Sequence, residues 1–475
     1  MKLPYDAQKE HRWRFRFVER RVLLLFGDLL ASVSALTFAL FFWSARDNYY
    51  QFNSLFLFRH VPIWFYYFPL VWLVLLTELY NIRRAASWTD TVKTVSTAAV
   101  LGLVIYLGLY FIITDEILPR IAVVIFVMAA ALLTLFWRYL YISVLYSEKF
   151  LRRVLLVGGG LSGEIILQVI NDIEPKPFFV LGIIDDDPGK LHTKVEGYEV
   201  VGTGEDLLEV IQEKYISDII VAITGEIYGH TFQALLDAQE LGVDIIRMPV
   251  AYEELIERVP IQLLESGWIL HTFIDENRVS GFYRFGKRVL DIFGGSIGTL
   301  IFLGLLPFIG LAILLESGRP IFYLQTRLGR SAYPYKIFKF RTMYTDAEEE
   351  GKAQWASADD DRVTKVGRFL RKTHLDEFPQ FLNVLRGEMS LVGPRSERPQ
   401  LIERLQKQVP FYRARLLVKP GVTGWAQVNF GYPATVEETN IKLEYDLYYI
   451  KNRNLFFDLR IIFRTPGMMF GLKGQ

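Results

Sequence analysis

The residues with the most chemical content lie in the run RKTHLDEFPQFLNVLRGEMSLVGPR, Arg371 to Arg395. An adjacent carboxylate pair, Asp376 and Glu377, sits inside it, with Arg371 before, Arg386 beyond and Arg395 at the end. An ionised aspartate can attack phosphorus and form an acyl phosphate. A neighbouring glutamate can hold Mg²⁺, which takes carboxylate and phosphate oxygens. Leu375, Phe378, Leu382 and Leu385 share one face at helical spacing, with Asp376, Gln380 and Asn383 opposite. Pro379 suits the first turn of a helix. A helix opening there puts both carboxylates at its positive end, which lowers their pKa and attracts phosphate. A lone Asp-Glu pair is ordinarily a solvated helix end. Here the chain around it is rich in cations: Arg327, Arg330, Lys336, Lys339, Arg341, Arg362, Lys365, Arg368, Lys372, Arg398 and Lys419. Many alternate with aromatic residues or glycine, as in YKIFKFRTM (335–343), which favours a preorganised phosphate site over a solvated surface.

These residues need a platform, and the segment before them supplies one. Residues 292–315 are 24 consecutive uncharged residues. Pro307 within them cannot donate the helical hydrogen bond to Leu303, so a kink or break is expected there. Arg284, Lys287 and Arg288 precede the segment, and Arg319, Arg327 and Arg330 follow it. Both flanks read as cytoplasmic. A re-entrant helix over about 287–315, broken at Pro307, satisfies both; a full crossing does not.

Four further apolar runs, 22–44, 61–80, 94–112 and 120–146, approach or exceed the roughly 20 residues needed to cross a bilayer. They predict a four-helix transmembrane bundle over 1–150, with Asp28 near an interface. Lys and Arg concentrate in the N-terminal tail, at Arg83 and Arg84, and at Lys149, Arg152 and Arg153. These segments, and everything after 147, are placed in the cytoplasm.

From 151 to 264 strand-like runs (RVLLV, VLGII, DIIVAI, GVDIIRMPV) alternate with helical ones, predicting a Rossmann-like, doubly wound α/β domain. Gly158, Gly160 and Gly163 fit GxGxxG after the first strand, and Asp185, Asp186 and Asp187 end the second. Nucleotide binding and a packing-only role both stay open for these glycines. A linker over 265–281 and a third domain over 282–475 complete the expected organisation. The chain therefore reads as a membrane protein of α and α/β class, its last domain α-rich with a re-entrant membrane helix.

Composition excludes several classes. Charge is balanced, with 53 basic and 52 acidic residues, so nothing suggests a nucleic-acid partner. The 475 residues include no cysteine, which removes disulfides, thiol nucleophiles and thiolate metal sites. The six histidines show no zinc spacing. Hydrophobic residues make up 51%, and the mean hydropathy is +0.23. No removable signal peptide is read at the start.

Residues 282–475 resemble the bacterial sugar transferases that act on polyprenyl phosphate, the monotopic phosphoglycosyl transferases. The matching stretches are GKRVLDI (286–292), GRPIFYLQTRLGR (318–330), YKIFKFRTM, the Asp-Glu run, RGEMSLVGPRSERP (386–399), VKPGVTGWAQV (418–428) and YDLYYIKNRNLFFDLRII (445–462). The N-terminal half is similar to that of large-form members, which initiate exopolysaccharide, capsule or O-antigen synthesis. The resemblance implies transfer of sugar-1-phosphate from a UDP-sugar to undecaprenyl phosphate, giving undecaprenyl-diphosphate-sugar and UMP. It implies an inner-membrane location with the catalytic domain on the cytoplasmic face, and Mg²⁺; for the α/β domain, mediating a homodimer and sensing a nucleotide both stay open. The family's dyad maps onto Asp376 as nucleophile and Glu377 as metal ligand. Lys339, Arg341 and Arg371 become phosphate clamps, and Arg395 and Lys419 donor or lipid phosphate contacts. Two departures stand out: Leu306-Pro307 replaces a common Ser-Pro, and NFGYPA (429–434) replaces an Asn-Gly-Arg-Asn-like loop.

Two other readings compete. A membrane-bound NAD-dependent sugar-nucleotide epimerase or dehydratase would use the GxGxxG domain. Its Tyr-x-x-x-Lys spacing does not occur in that domain, Tyr283/Lys287 and Tyr335/Lys339 lying outside it, and the C-terminal part is left without a role. A non-catalytic assembly protein would use the membrane spans alone.

Overall fold

The structure, a computed structural model, describes residues 17–46, 52–112, 120–145, 151–225, 227, 229–263, 280–344, 362–431 and 435–469. The basic tail up to Arg16, Lys149, residues 432–434 of the NFGYPA loop and most of the expected linker lie outside them. The chain divides into two compact units, Met1–Ile256 and Glu257–Gln475.

Among its described residues the first unit has three helices long and apolar enough to cross a membrane: Glu19–Arg46, Trp88–Gly108 and Arg120–Leu145. The run at 61–80 is not a fourth. It forms a 3₁₀ turn, Ile63–Tyr67, a short helix, Phe68–Leu75, and a second 3₁₀ turn, Thr77–Tyr80. Pro62 caps the first turn and Pro69 opens the short helix, so neither residue supplies an N–H to a continuous ladder. Backbone left unpaired in an apolar interior needs a partner. Arg138 donates from Nη1 to the Leu79 carbonyl at 3.1 Å, and Trp72 donates from Nε1 to Thr134 Oγ1 at 3.1 Å. Arg138 also pairs with Asp28, and both side chains are fully buried. Asp28 is thus an interior ion-pair member, not the interfacial residue expected from its place near a helix start.

The α/β part of this unit is a six-stranded sheet with the order β3-β4-β2-β1-β5-β6. Its strands are β1 (Arg152–Val157), β2 (Phe178–Ile184), β3 (Lys194–Val195), β4 (Tyr198–Gly202), β5 (Asp218–Val221) and β6 (Asp244–Arg247). All neighbours are parallel except β3 and β4. Strand order reverses beside β1, where a doubly wound sheet has its crevice.

The second unit is organised on one 37-residue helix, Gly281–Ser317, the fourth of the long apolar helices. It stays helical through Pro307, so the chain is not broken there. One proline removes one bond of the ladder, and the remaining bonds keep the helix continuous. Tyr283, Asp291, Gly295, Gly298, Phe302 and Ile313 form its buried face. Phe282, Phe285, Phe293, Leu300, Phe308 and Leu315 are exposed on it. A Cβ at Gly298 would sit 2.4 Å from the Phe381 ring, so glycine is what permits that approach. A hairpin of β7 (Phe322–Leu328) and β8 (Pro334–Phe340) pairs Tyr323 with Lys339. A parallel pair, β9 (Ser390–Val392) and β10 (Gly421–Thr423), lies behind it in the chain. The stretch 257–263, assigned to the α/β domain from sequence, is held in this unit: Arg460 clamps Glu257 with bonds of 2.9 and 3.1 Å, and Trp425 Nε1 donates to the Glu257 carbonyl at 3.1 Å.

Replacing Arg138 alone with leucine is expected to cost about 3–5 kcal/mol, because Asp28 is left buried without a partner. Adding Asp28→Leu should restore most of that loss. Thermal unfolding of the single and double variants in detergent checks it.

Candidate active site

The dyad lies in a 3₁₀ turn, Leu375–Gln380, that runs directly into the helix Phe381–Arg386. Pro379 therefore sits inside the turn, and the α-helix opens two residues later than expected. His374, with φ 55°, reverses the chain out of the preceding helix, Lys365–Lys372. Leu375, Phe378 and Leu382 pack on Phe302, Phe340 and Leu370. The polar face is buried as well. Asn383 accepts from the Phe338 N–H at 3.2 Å and donates to the Lys336 carbonyl at 2.9 Å and to Glu388 at 2.7 Å.

Asp376 is 8% exposed and Glu377 is 9% exposed. Lys339, carried on β8, donates to Glu377 Oε1 at 2.7 Å. Arg395, three residues beyond β9, holds the same carboxylate through both terminal nitrogens, at 2.6 and 3.3 Å. Burial works against the charge on Glu377, but Arg395 and Lys339 outweigh it and hold its carboxyl well below the usual range. Asp376 has the opposite balance. Burial raises its pKa, Lys339 only partly offsets this, and the Glu377 charge raises it further. No hydrogen bond to the Asp376 carboxylate occurs among the described residues. The pair is thus divided into one locked carboxylate and one free one.

Of the five cations proposed as clamps, Lys339 and Arg395 meet at the dyad and three do not. Arg341 is 6% exposed and bonds the Ser317 and Gly318 carbonyls at 2.8 and 2.6 Å, closing the C-terminal end of the long helix. Arg371 donates to Thr342 Oγ1 at 3.0 Å. Lys419 lies at the far end of the Phe381–Arg386 helix, its Nζ 3.4 Å from the Cβ position of Gly387 and beside Arg288. Burial and the Arg288 charge lower its pKa.

Several site residues were not singled out from sequence. Glu397 accepts from Lys442 at 2.9 Å and lies 3.6 Å from Arg415. Arg415 donates to the Arg395 carbonyl at 2.9 Å and to Asp446 at 2.8 Å. This network fixes the backbone that carries Arg395. Burial opposes the Glu397 charge, but Lys442 and then Arg415 bring its pKa down to about 2. Beside the dyad a narrow cleft lies among Arg327, Lys339, Gln380, Arg395 and Ser396. A second shares Arg395 and Ser396 and extends past Glu397 and Arg415. Nothing in the local sequence marks Arg415 or Lys442, since each reads as an ordinary helix charge.

The glycine turn after β1 is close-packed at two of its three motif glycines. Gly158 has φ +106°. A Cβ on Gly163 would lie 2.3 Å from the Gly158 carbonyl oxygen, and around Gly160 there is open space. The Gly159 N–H donates to Asp185 Oδ2 at 2.7 Å, and Lys190 meets the same oxygen at 3.1 Å. Asp186 accepts from Gly204 and Thr231, at 2.8 and 2.7 Å. Tyr283 and Lys287 both bond Asp458, at 3.1 and 3.0 Å, so that Tyr-x-x-x-Lys pair is committed to structure.

The family model for "Bacterial sugar transferase" matches residues 282–471, and that for "CoA-binding domain" matches 75–249. An Escherichia coli (strain K12) UDP-glucose:undecaprenyl-phosphate glucose-1-phosphate transferase is 42% identical over 325 residues, 68% of each chain. The chain belongs to the bacterial sugar transferase family. An Aeromonas hydrophila UDP-N-acetylgalactosamine-undecaprenyl-phosphate N-acetylgalactosaminephosphotransferase is 45% identical over 186 residues, 39% of this chain and 44% of that one. A Komagataeibacter xylinus undecaprenyl-phosphate glucose phosphotransferase is 31% identical over 325 residues, 67% of this chain and 59% of that one. The chain thus spans about half the length of these last two relatives.

Glu397 contributes stability above its ordinary value of 4.5, and that stability is lost as pH falls toward its folded value of about 2. Glu397→Gln is expected to be less stable than the native protein near neutrality and to lose less of its stability between about pH 5 and about pH 3. Unfolding midpoints across that range are the check.

Proposed function

We propose that this protein transfers sugar-1-phosphate from a UDP-sugar to undecaprenyl phosphate, giving undecaprenyl-diphosphate-sugar and UMP, as the initiating step of a cell-surface polysaccharide. The observation that carries the reading is the division of the dyad. Glu377 is spent on Lys339 and Arg395, while Asp376 is buried, without a hydrogen bond among the described residues, and free to attack. An Asp376 oxygen bonds to the β-phosphorus, the bond to the bridging oxygen breaks, and UMP leaves with that oxygen. An oxygen of the lipid phosphate then attacks the same phosphorus and returns the electron pair to the Asp376 carboxylate. Lys339 and Arg395 supply positive charge where phosphoryl oxygens must sit. The lipid-linked acceptor and the UDP-sugar donor are suggested by the relatives' names.

Mg²⁺ fits the donor set. Among the described residues no group of three or more potential metal ligands occurs, which suits an ion that takes one or two carboxylates and completes its shell with water and phosphate. Asp376, which carries no hydrogen bond among the described residues, would meet the ion first, and Glu377 would join it on giving up part of the grip of Lys339 and Arg395; the ion would neutralise diphosphate charge.

The long helix supports a monotopic, re-entrant or in-plane placement at the cytoplasmic face of the inner membrane. Both its ends bond to the same polar unit: Lys287 to Asp458 at 3.0 Å, and Glu316 to the Lys365 and Val366 N–H groups at 2.7 and 2.8 Å. A full crossing would separate those anchors by a bilayer. The uninterrupted exposed apolar stripe from Phe282 to Leu315 would then face lipid.

The test is UMP release by purified protein given undecaprenyl phosphate and either UDP-glucose or UDP-N-acetylgalactosamine. Asp376→Asn is expected to cut release by at least about 10³-fold, and chelation of divalent cations should stop it reversibly. Release unchanged in the Asn variant contradicts the assignment.

A further inference from the structure

The 3₁₀ turn that carries the dyad and the helix it runs into present two buried amides three residues apart, and they are treated differently. Asn383 is fully buried, and its side chain is bonded to Phe338, Lys336 and Glu388. Gln380 is 3% exposed, yet its Nε2 has no partner among the described residues. A buried amide donor left unmade carries an uncompensated desolvation cost, and an apolar side chain of similar shape would avoid it. Such a group calls for a ligand.

Its position says which one. Gln380 is the last residue of the 3₁₀ turn Leu375–Gln380. Side chains three residues apart eclipse in that geometry, so Gln380 stands directly over Glu377 on the dyad's side. It lines the cleft shared with Lys339 and Arg395, the two cations that grip Glu377, and with Arg327, whose Nε is also buried without a partner. A cleft walled by three cations selects an anion with several oxygens. A fourth cation at position 380 would pair with Asp376 and blunt it as a nucleophile, whereas a neutral amide donates to an oxygen and leaves the carboxylate free.

Resting on the transferase reading above, we propose that Gln380 is a substrate-contacting residue whose amide donates a hydrogen bond to a phosphoryl oxygen of the nucleoside diphosphate-sugar at the dyad. It binds the group that Asp376 attacks, and its side chain takes no structural bond among the described residues.

Two variants test this in the full-length protein. Gln380→Met keeps the volume and removes the donor; Gln380→Glu keeps the shape and adds like charge beside the phosphates. Gln380→Met is expected to lower kcat/KM by about 10²-fold, to weaken binding of UDP in titration calorimetry, and to leave the unfolding midpoint unchanged or raised. Gln380→Glu should fall further in both turnover and UDP binding. Turnover within about twofold of native together with unchanged UDP affinity in Gln380→Met overturns the proposal, as does a steep drop in its unfolding midpoint, which would mark a structural amide. Native protein that binds UDP without transferring phosphosugar would overturn the reaction proposed above, and the UDP affinities of native and variant would still decide the role of Gln380. Native protein that binds no UDP overturns both.

Discussion

The grip of Lys339 and Arg395 on Glu377 is the constraint on which the rest of the site depends. A carboxylate 9% exposed cannot stay ionised without paired charge. Two cations on one carboxylate outweigh its desolvation and leave surplus positive potential beside it. Asp376, one residue earlier, feels that potential without being bonded by it. Removing either cation would leave Glu377 partly uncompensated and add to the repulsion between the two carboxylates. Locking one acid and freeing its neighbour are therefore the same piece of electrostatics seen from two sides.

The two cations arrive from separate parts of the chain, and the long helix brings them together. Lys287 and Asp291, one turn apart, hold β9: Lys287 donates to the Val392 carbonyl at 3.0 Å, and Asp291 accepts from Ser390 Oγ and the Leu391 N–H at 2.8 and 2.9 Å. Arg395 follows that strand directly. At the other end Arg341, one residue beyond β8, ties the strand carrying Lys339 to the Ser317 and Gly318 carbonyls. Between these anchors Gly294, Gly295 and Gly298 admit Leu391, Leu385 and Phe381. A segment whose apolar exposed face suits lipid is thus also the ruler against which Lys339, the dyad and Arg395 are set.

How much of this was legible in the sequence varied with the kind of information involved. Adjacent carboxylates among cations, and strands alternating with helices, are local patterns, and they pointed to the site and to the α/β sheet. Partner choice is not local. Lys339, Arg341 and Arg371 look alike as cations near aromatic residues, but only Lys339 is on the strand position facing Glu377, while Arg341 sits where a helix end offers unpaired carbonyls. The 61–80 run has the hydrophobicity of a span; its break is set by Pro62 and Pro69 and is sustained by Arg138, which is 59 residues from the carbonyl it serves. Pro307 shows the converse, since a long packed helix absorbs one missing bond. In the glycine turn the motif marked a tight strand-to-helix turn correctly, but not that Asp185 accepts the Gly159 N–H there.

The most direct measurement is intact-protein and peptide mass spectrometry of the enzyme quenched with its donor sugar nucleotide and no lipid acceptor. The account predicts a phosphosugar adduct on the peptide containing Asp376, localised to that side chain and discharged when undecaprenyl phosphate is added. An adduct on Glu377, or lipid product formed with Asp376 never modified, would contradict it.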